Sequence, residues 1–171
     1  MATPAYLSVR GENSGLMTEG AYTVPSVGTF QKGHEDEVLV QAFSHEVTLP
    51  YDPQSGSATG QRVHKPVVIT KVFDKSSPLL LTALCSAEKI TEFKIRWYRT
   101  DAYGNQEHYY TTSLEGAQIV HIKDYMHNCQ DPANAHFTQL QDVHFSYTKI
   151  TWEHVAATTT GGDDWREQKT G

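Results

Sequence analysis

The run Val67-Val68-Ile69-Thr70-Lys71-Val72-Phe73-Asp74-Lys75-Ser76-Ser77-Pro78-Leu79-Leu80-Leu81-Thr82-Ala83-Leu84-Cys85 takes the chain from a strand directly into a helix. Residues 67–73 are rich in the β-branched and aromatic side chains that strands prefer. Ser77 is a good N-cap, and Pro78 takes the first helical position, where its missing N–H costs nothing. Leu80, Leu81, Leu84 and Cys85 then fall on one helical face. The strand itself is apolar on both sides, with Val67, Ile69 and Phe73 on one face and Val68 and Val72 on the other. The helix is therefore expected to close one face or end of a β structure.

Strand signals dominate on either side of this run. Residues 36–47 are apolar and β-branched in their middle, with Val38 and Val40 opposing Leu39 and Phe43. Residues 91–99 alternate, Phe93, Ile95 and Trp97 pointing one way and Lys94, Arg96 and Tyr98 the other. The turn Asp101-Ala102-Tyr103-Gly104-Asn105-Gln106 is expected to close a hairpin onto residues 107–114. Further strands are expected at 6–10, 118–123 and 143–152. Two connections are unusually long. Residues 11–35 carry five glycines and only a weak strand signal at 21–24, and residues 50–66 carry three prolines and two glycines. Loops of this length are uncommon in compact domains and are often functional. With no internal repeat and no break in composition, residues 1–171 read as one domain with a polar, frayed tail from about residue 158.

Apolar residues on both faces of several strands do not suit a two-layer β domain with water outside. Either a closed barrel is capped by the helix, or another subunit covers the surplus surface. Three large side chains on one strand face are worth roughly 5–9 kcal/mol. Association costs on the order of 4–15 kcal/mol. One strand face cannot hold a subunit contact alone, so an oligomer would also engage the long loops.

Composition narrows the function. At 171 residues, 38% hydrophobic, with a net charge of −6, the chain is long enough for a core and too acidic to favour nucleic acid or anionic lipid. No apolar run approaches the ~18 residues of a membrane helix. The first residues show no basic region followed by an apolar core, so the chain reads as soluble and made in the cytoplasm. Cys85 and Cys129 are too few for a disulfide framework.

Nothing in the sequence assembles into a catalytic, cofactor-binding or metal site. His121, His127 and Cys129 cluster loosely but lack paired metal-ligand spacings. His45-Glu46 and Glu153-His154 are adjacent pairs, and neighbours on a strand face opposite ways. The small polar run 55–60 lacks the Gly-Lys-Ser/Thr that closes a phosphate loop. Two other readings stand beside an assembling protein. One is a monomeric barrel with an apolar interior for a small ligand. The other is a hydrolase built on His127 or His121.

Ordered segments along nearly the whole chain, from Pro4 to Trp165, resemble the Hcp family of type VI secretion proteins. They are Gly33-His34-Glu35-Asp36-Glu37, Asp52-Pro53-Gln54-Ser55-Gly56, Gly60-Gln61-Arg62-Val63-His64-Lys65-Pro66, Asp74-Lys75-Ser76-Ser77-Pro78-Leu79-Leu80, Trp97-Tyr98-Arg99, Gln106-Glu107-His108, Cys129-Gln130-Asp131-Pro132 and Ile150-Thr151-Trp152-Glu153-His154. The Lys-Ser-Ser-Pro helix start is the most family-wide of them, and the others look like the enterobacterial branch. The resemblance implies a mainly β, barrel-like domain of two packed sheets with one α-helix, similar to a phage tail tube. It implies homohexameric rings that stack into a tube within a contractile sheath, tipped by a VgrG-type spike. Secreted effectors would be carried and protected in the channel. The protein would leave the cell without a signal peptide, and it would be no enzyme. Ending soon after its core, the chain looks like the plain structural form. Ala42, Ser44 and His45 match the channel-lining strand. Asp52, Pro53, Gln54, Ser55, Gly56, Gly60, Gln61 and Arg62 match a loop that reaches the next ring. Ser77, Pro78, Leu80, Leu81 and Leu84 match the helix start and its packing.

Overall fold

A computed structural model describes residues 3–167. In chain order the strands are β1 (Ala5–Gly11), β2 (Gly15–Leu16), β3 (Val38–Val40), β4 (Ala42–Ser44), β5 (Val47–Thr48), β6 (Val63–His64), β7 (Val67–Val72), β8 (Lys89–Thr100), β9 (Gln106–Glu115), β10 (Ala117–Tyr125), β11 (Leu140–Ser146), β12 (Lys149–His154) and β13 (Thr159–Asp164). The helices are α1 (Val24–Val27) and α2 (Ser77–Cys85), with a single 3-10 turn at Pro132–Asn134.

Two layers form a barrel because segments of the chain bend from one sheet into the other. One layer runs β13-β12-β9-β8-β1-β3, and the second runs β10-β11-β7-β4. The expected single strand at 36–47 breaks at Gln41, whose N–H donates to the Thr70 carbonyl at 2.8 Å. β3 then pairs with β1, whereas β4 pairs with β7. Strands β9 and β10 share one register against β8, Leu114 opposite Phe93 and Ala117 opposite Ile90. They are one strand pivoting at Gly116, which sits at φ +61°. A Cβ there would run into the Thr148 hydroxyl, so glycine is required for close approach as well as for conformation. The expected strand at 143–152 also divides: β11 pairs with β7 and β10, and β12 with β9 and β13. Its bend at Thr148 is tied to the first by a Thr148 N–H bond to the Glu115 carbonyl, 3.0 Å. Corners made by strands that change sheet are how such barrels close.

The core lies between the layers. Leu7, Val9, Val67, Ile69, Phe93, Ile95, Val143, Phe145 and Ile150 are buried, and Phe93 meets Phe145 edge-on at 4.7 Å between ring centroids. Each such side chain contributes roughly 1.5–3 kcal/mol by leaving water. The alternation expected in β8 holds: Phe93 and Ile95 point inward, with Trp97 half-buried after them.

Several expectations need correction. Phe73 is exposed, and the third inward position of β7 belongs to Lys71. Ser76, not Ser77, is the N-cap of α2. The Asp74 carboxylate accepts from the Ser76 N–H and hydroxyl, which moves the helix start back by one residue. Pro78 accordingly follows Ser77 inside the first turn. The buried face of α2 is Ser77, Leu80 and Ala83; Leu81 and Leu84 are half-buried, and Cys85 is exposed. The weak signal at 21–24 leads into α1, which Gly28 ends at φ +80°. The tail is no frayed end up to residue 164, because β13 pairs with β12 along its length.

Candidate functional site

The segment 50–66 is an ordered arm. β5 and β6 pair at its base, Tyr51 bridges to Ala58 farther out, and the Thr59 N–H donates to the Pro50 carbonyl at 2.9 Å. Asp52, Pro53, Gln54, Ser55 and Gly56 make the tip. The Asp52 carboxylate accepts from the Gln54 N–H at 3.0 Å and the Ser55 hydroxyl at 3.0 Å, and these bonds hold it below the usual carboxylate range. Gly56 closes the turn at φ +74° with its N–H on the Asp52 carbonyl. Gly60 and Gln61 are exposed on the return side. Val47, Leu49, Tyr51 and Val63 are all exposed, at 44–62%. A projecting hairpin with that many open apolar side chains is unusual for a surface that meets only water.

Arg62 belongs to the arm in sequence but not in setting. Its guanidinium grips the Asp163 carboxylate with two bonds, Nε to Oδ2 at 2.5 Å and Nη2 to Oδ1 at 3.0 Å. His64 Nε2 meets the same carboxylate at 2.7 Å, and His64 Nδ1 meets the Tyr147 hydroxyl at 2.7 Å. His45 Nε2 reaches that hydroxyl from the other side, also at 2.7 Å. Asp163 lies below the ordinary carboxylate range because Arg62 and His64 bond to it. Burial pushes the Tyr147 phenol up, with the Asp163 charge adding to it, so the hydroxyl keeps its proton.

Strand β4 splits the three candidate wall residues. Ala42 and Ser44 lie on the exposed face of the second layer, opposite Thr70 and Val68. Following the register outward gives two rows, Ser44-Val68-His144-His121 and Ala42-Thr70-Asp142-Lys123. The face is short-chained around Ala42, Ser44 and Thr70 and carries His144, His121 and Lys123 farther along, and Thr70 donates to Asp142 at 2.7 Å. Phe43 turns the other way and meets Trp97 edge-on at 4.8 Å. His45 leaves the exposed rows and points to Tyr147, half-buried beside Trp152. Burial, with His64 nearby, lowers its pKa.

The histidines weighed for chemistry take separate partners. His121 packs edge-on to His144 at 4.7 Å, and His127 rests on Phe137 at 4.2 Å, while Cys129 is exposed. The start of α2 holds a network that sequence reasoning missed. Lys71 Nζ lies 3.0 Å from Asp74 Oδ1 and donates to Ser77 Oγ at 2.8 Å and Gln141 Oε1 at 3.2 Å. Gln141 passes the chain on to Asp124 at 2.9 Å. Lys71 and Gln141 are wholly buried. The sequence signal was a lysine in an otherwise apolar strand three residues before an aspartate.

Comparison with known proteins fits this geometry. The family described as "Type VI secretion system effector, Hcp" matches residues 28–154. The "Major exported protein" of Pseudomonas aeruginosa is 67% identical over 172 residues, covering 100% of each chain. A solved structure of an Hcp protein superposes with a TM-score of 0.92 at 46% identity, covering 98% of this chain and 100% of the other. Secreted protein Hcp3 from Pseudomonas aeruginosa superposes with a TM-score of 0.82 at 58% identity, covering 97% and 100%. With its overall fold and nearly all of its length matched by these proteins, the chain belongs to the Hcp family of type VI secretion system proteins.

Proposed function

We propose that this chain is the repeating subunit of the type VI secretion tube, acting through assembly and not through catalysis. Copies would close into six-membered rings, with the small, polar face around Ala42 and Ser44 turned to the channel. The rings would stack through the arm at 50–66, inside a contractile sheath and behind a VgrG-type spike. The protein would be made in the cytoplasm and expelled without a cleaved signal, with effectors held weakly in the channel. Short side chains at Ala42, Ser44 and Thr70 suit cargo that must be held and then released, because they offer hydrogen bonds without a deep apolar pocket.

The observation that carries this reading is the arm itself. It is ordered to its tip and tied down at its base, yet it exposes Val47, Leu49, Tyr51 and Val63. Order together with open apolar surface suits a contact surface awaiting a second copy. Electron microscopy of the purified protein tests it: six-fold rings with an open centre are expected, stacking into tubes. Removing residues 51–58 should leave the rings and abolish the stacks. A strict monomer at high concentration would overturn the tube reading.

A further inference from the structure

We propose that Arg62, His64, Tyr147 and Asp163 form a clasp that fixes the direction in which the arm leaves the barrel. The proposal deepens the stacking role argued above and rests on it.

The arm cannot set its own direction. Among the described residues its backbone bonds, β5 with β6, the Tyr51–Ala58 bridge, Thr59 to Pro50 and Lys65 to Glu46, run within the arm and its root. A two-stranded hairpin of this kind is at best marginal in water. Its apolar side chains, exposed as they are, contribute nothing to holding it against the barrel. What remains is the base. There the clasp joins the returning strand β6, the bend between β11 and β12, and the edge strand β13, which lie far apart in sequence.

The chemistry of the clasp is directional. The Arg62 fork meets both oxygens of one carboxylate, a geometry that fixes angle as well as distance. The same guanidinium donates from Nη2 to the Asp164 carbonyl at 2.9 Å and the Glu167 carbonyl at 2.8 Å. Asp163, ionised, only accepts, so His64 Nε2 must donate to it. In the tautomer that leaves His64 Nδ1 an acceptor, the Tyr147 hydroxyl donates to it and His45 Nε2 donates to the phenol oxygen. One hydroxyl proton orders the whole chain and leaves no member unsatisfied. Trp165 covers it, its indole N–H donating to the Tyr147 carbonyl. Swinging the arm would break the guanidinium fork and both His64 bonds together, so the clasp is either closed or open. His45 directly follows β4, so closure also ties the arm to the strand that carries Ala42 and Ser44.

Hydrogen exchange read by mass spectrometry on the full chain tests the clasp. In Asp163→Asn and in Arg62→Ala, amides of residues 47–64 should exchange roughly tenfold faster, while those of α2 and β8 keep their rates. Arg62→Ala changes a side chain near the surface, so it stays informative if the aspartate variant folds poorly. Micrographs of both variants should show rings in normal number and shortened tubes. Asp163→Glu, which keeps the carboxylate, should restore most of the protection and the tube length. Arm exchange within about twofold of the parent in both variants would overturn the clasp. So would faster arm exchange with tubes of full length. The 51–58 deletion is read separately: tubes that persist without the arm's tip would sink the stacking role, while exchange alone still decides whether the clasp holds the arm.

Discussion

Two polar networks fasten an element to this barrel, and they differ in their access to water. At the start of α2, the side chains of Lys71 and Asp74 are 0% and 2% exposed. At the base of the arm, those of Arg62 and Asp163 are 15% and 16% exposed. Each network joins a cation, a carboxylate and a hydroxyl. In the dry one, burial pushes the Lys71 ammonium down and Asp74 opposes it, so neither charge can part from the other without standing bare in the interior. In the wetter one, water can replace either partner of the Arg62–Asp163 pair, so parting that pair costs little. The same chemistry is thus part of the fold in one place and a means of aiming a projection in the other. This contrast follows burial and runs against bond length, since the dry ion pair measures 3.0 Å and the wetter one 2.5 Å.

The sharpest way to break the contrast is to remove one charge from the dry network. Lys71→Met keeps the length of the side chain but leaves Asp74 buried and unpaired. The expected loss is about 3–5 kcal/mol of folding stability. It should appear as a lower urea midpoint with an unchanged slope. Arg62→Ala, by comparison, should lower the midpoint far less, because its site is open to water. Equal losses at the two positions would erase the distinction.

Tyr147→Phe probes the inner part of the arm's network, where Tyr147 is 4% exposed and the His64 side chain 3%. It removes a single oxygen and strands both His45 Nε2 and His64 Nδ1. The expected cost is about 1–3 kcal/mol, intermediate between the two networks. Equilibrium unfolding measures the loss, and the cycle with His45→Gln separates the share that passes through His45.

Which parts of this were legible in the sequence follows from the range over which each is encoded. Strand β8 was readable because Phe93, Ile95 and Trp97 announce its inward face within one segment. The bends at Gln41 and Thr148 were not: the inward face slips there by one residue, from Val38 and Val40 to Phe43 and from Val143 and Phe145 to Ile150, and such a slip inside an apolar run does not announce a new partner strand. Lys71 sits where the period demands an apolar residue, and its partner Gln141 lies 70 residues away. The arm has the proline and glycine content of a loop; its order comes from Asp163, about 100 residues farther on. Strand β13, Thr-Thr-Gly-Gly-Asp-Asp from end to end, has no apolar pattern and is defined by β12 alone. The family pattern put Ala42, Ser44 and His45 on one strand without their facing, and His45 could not be separated from the other two until Tyr147 was in view.

Acid is the gentlest probe and acts on the wetter network. His45 meets the Tyr147 hydroxyl, with His64 beyond it and the Trp152 ring alongside. Its pKa in the folded protein lies below the ordinary 6.5, chiefly through burial and then through His64. Above 6.5 both folded and unfolded chains carry a neutral ring, and its contribution to stability is full. As the pH falls through that value, the unfolded chain takes up the proton first, so stability declines until the folded value is passed. His108 and His144 are lowered as well and act with the same sign, so the wild-type curve alone does not isolate His45. His45→Gln does: it keeps an N–H for Tyr147 and cannot titrate. The stability of this variant should fall less steeply than the parent's below pH 6.5, with the difference confined to exchange in residues 47–64. Because a single half-buried ring is involved, this is the smallest of the three effects. Parallel curves for parent and variant would mean that the arm's network is indifferent to the charge on His45, and that the ring serves only as a spacer against Tyr147.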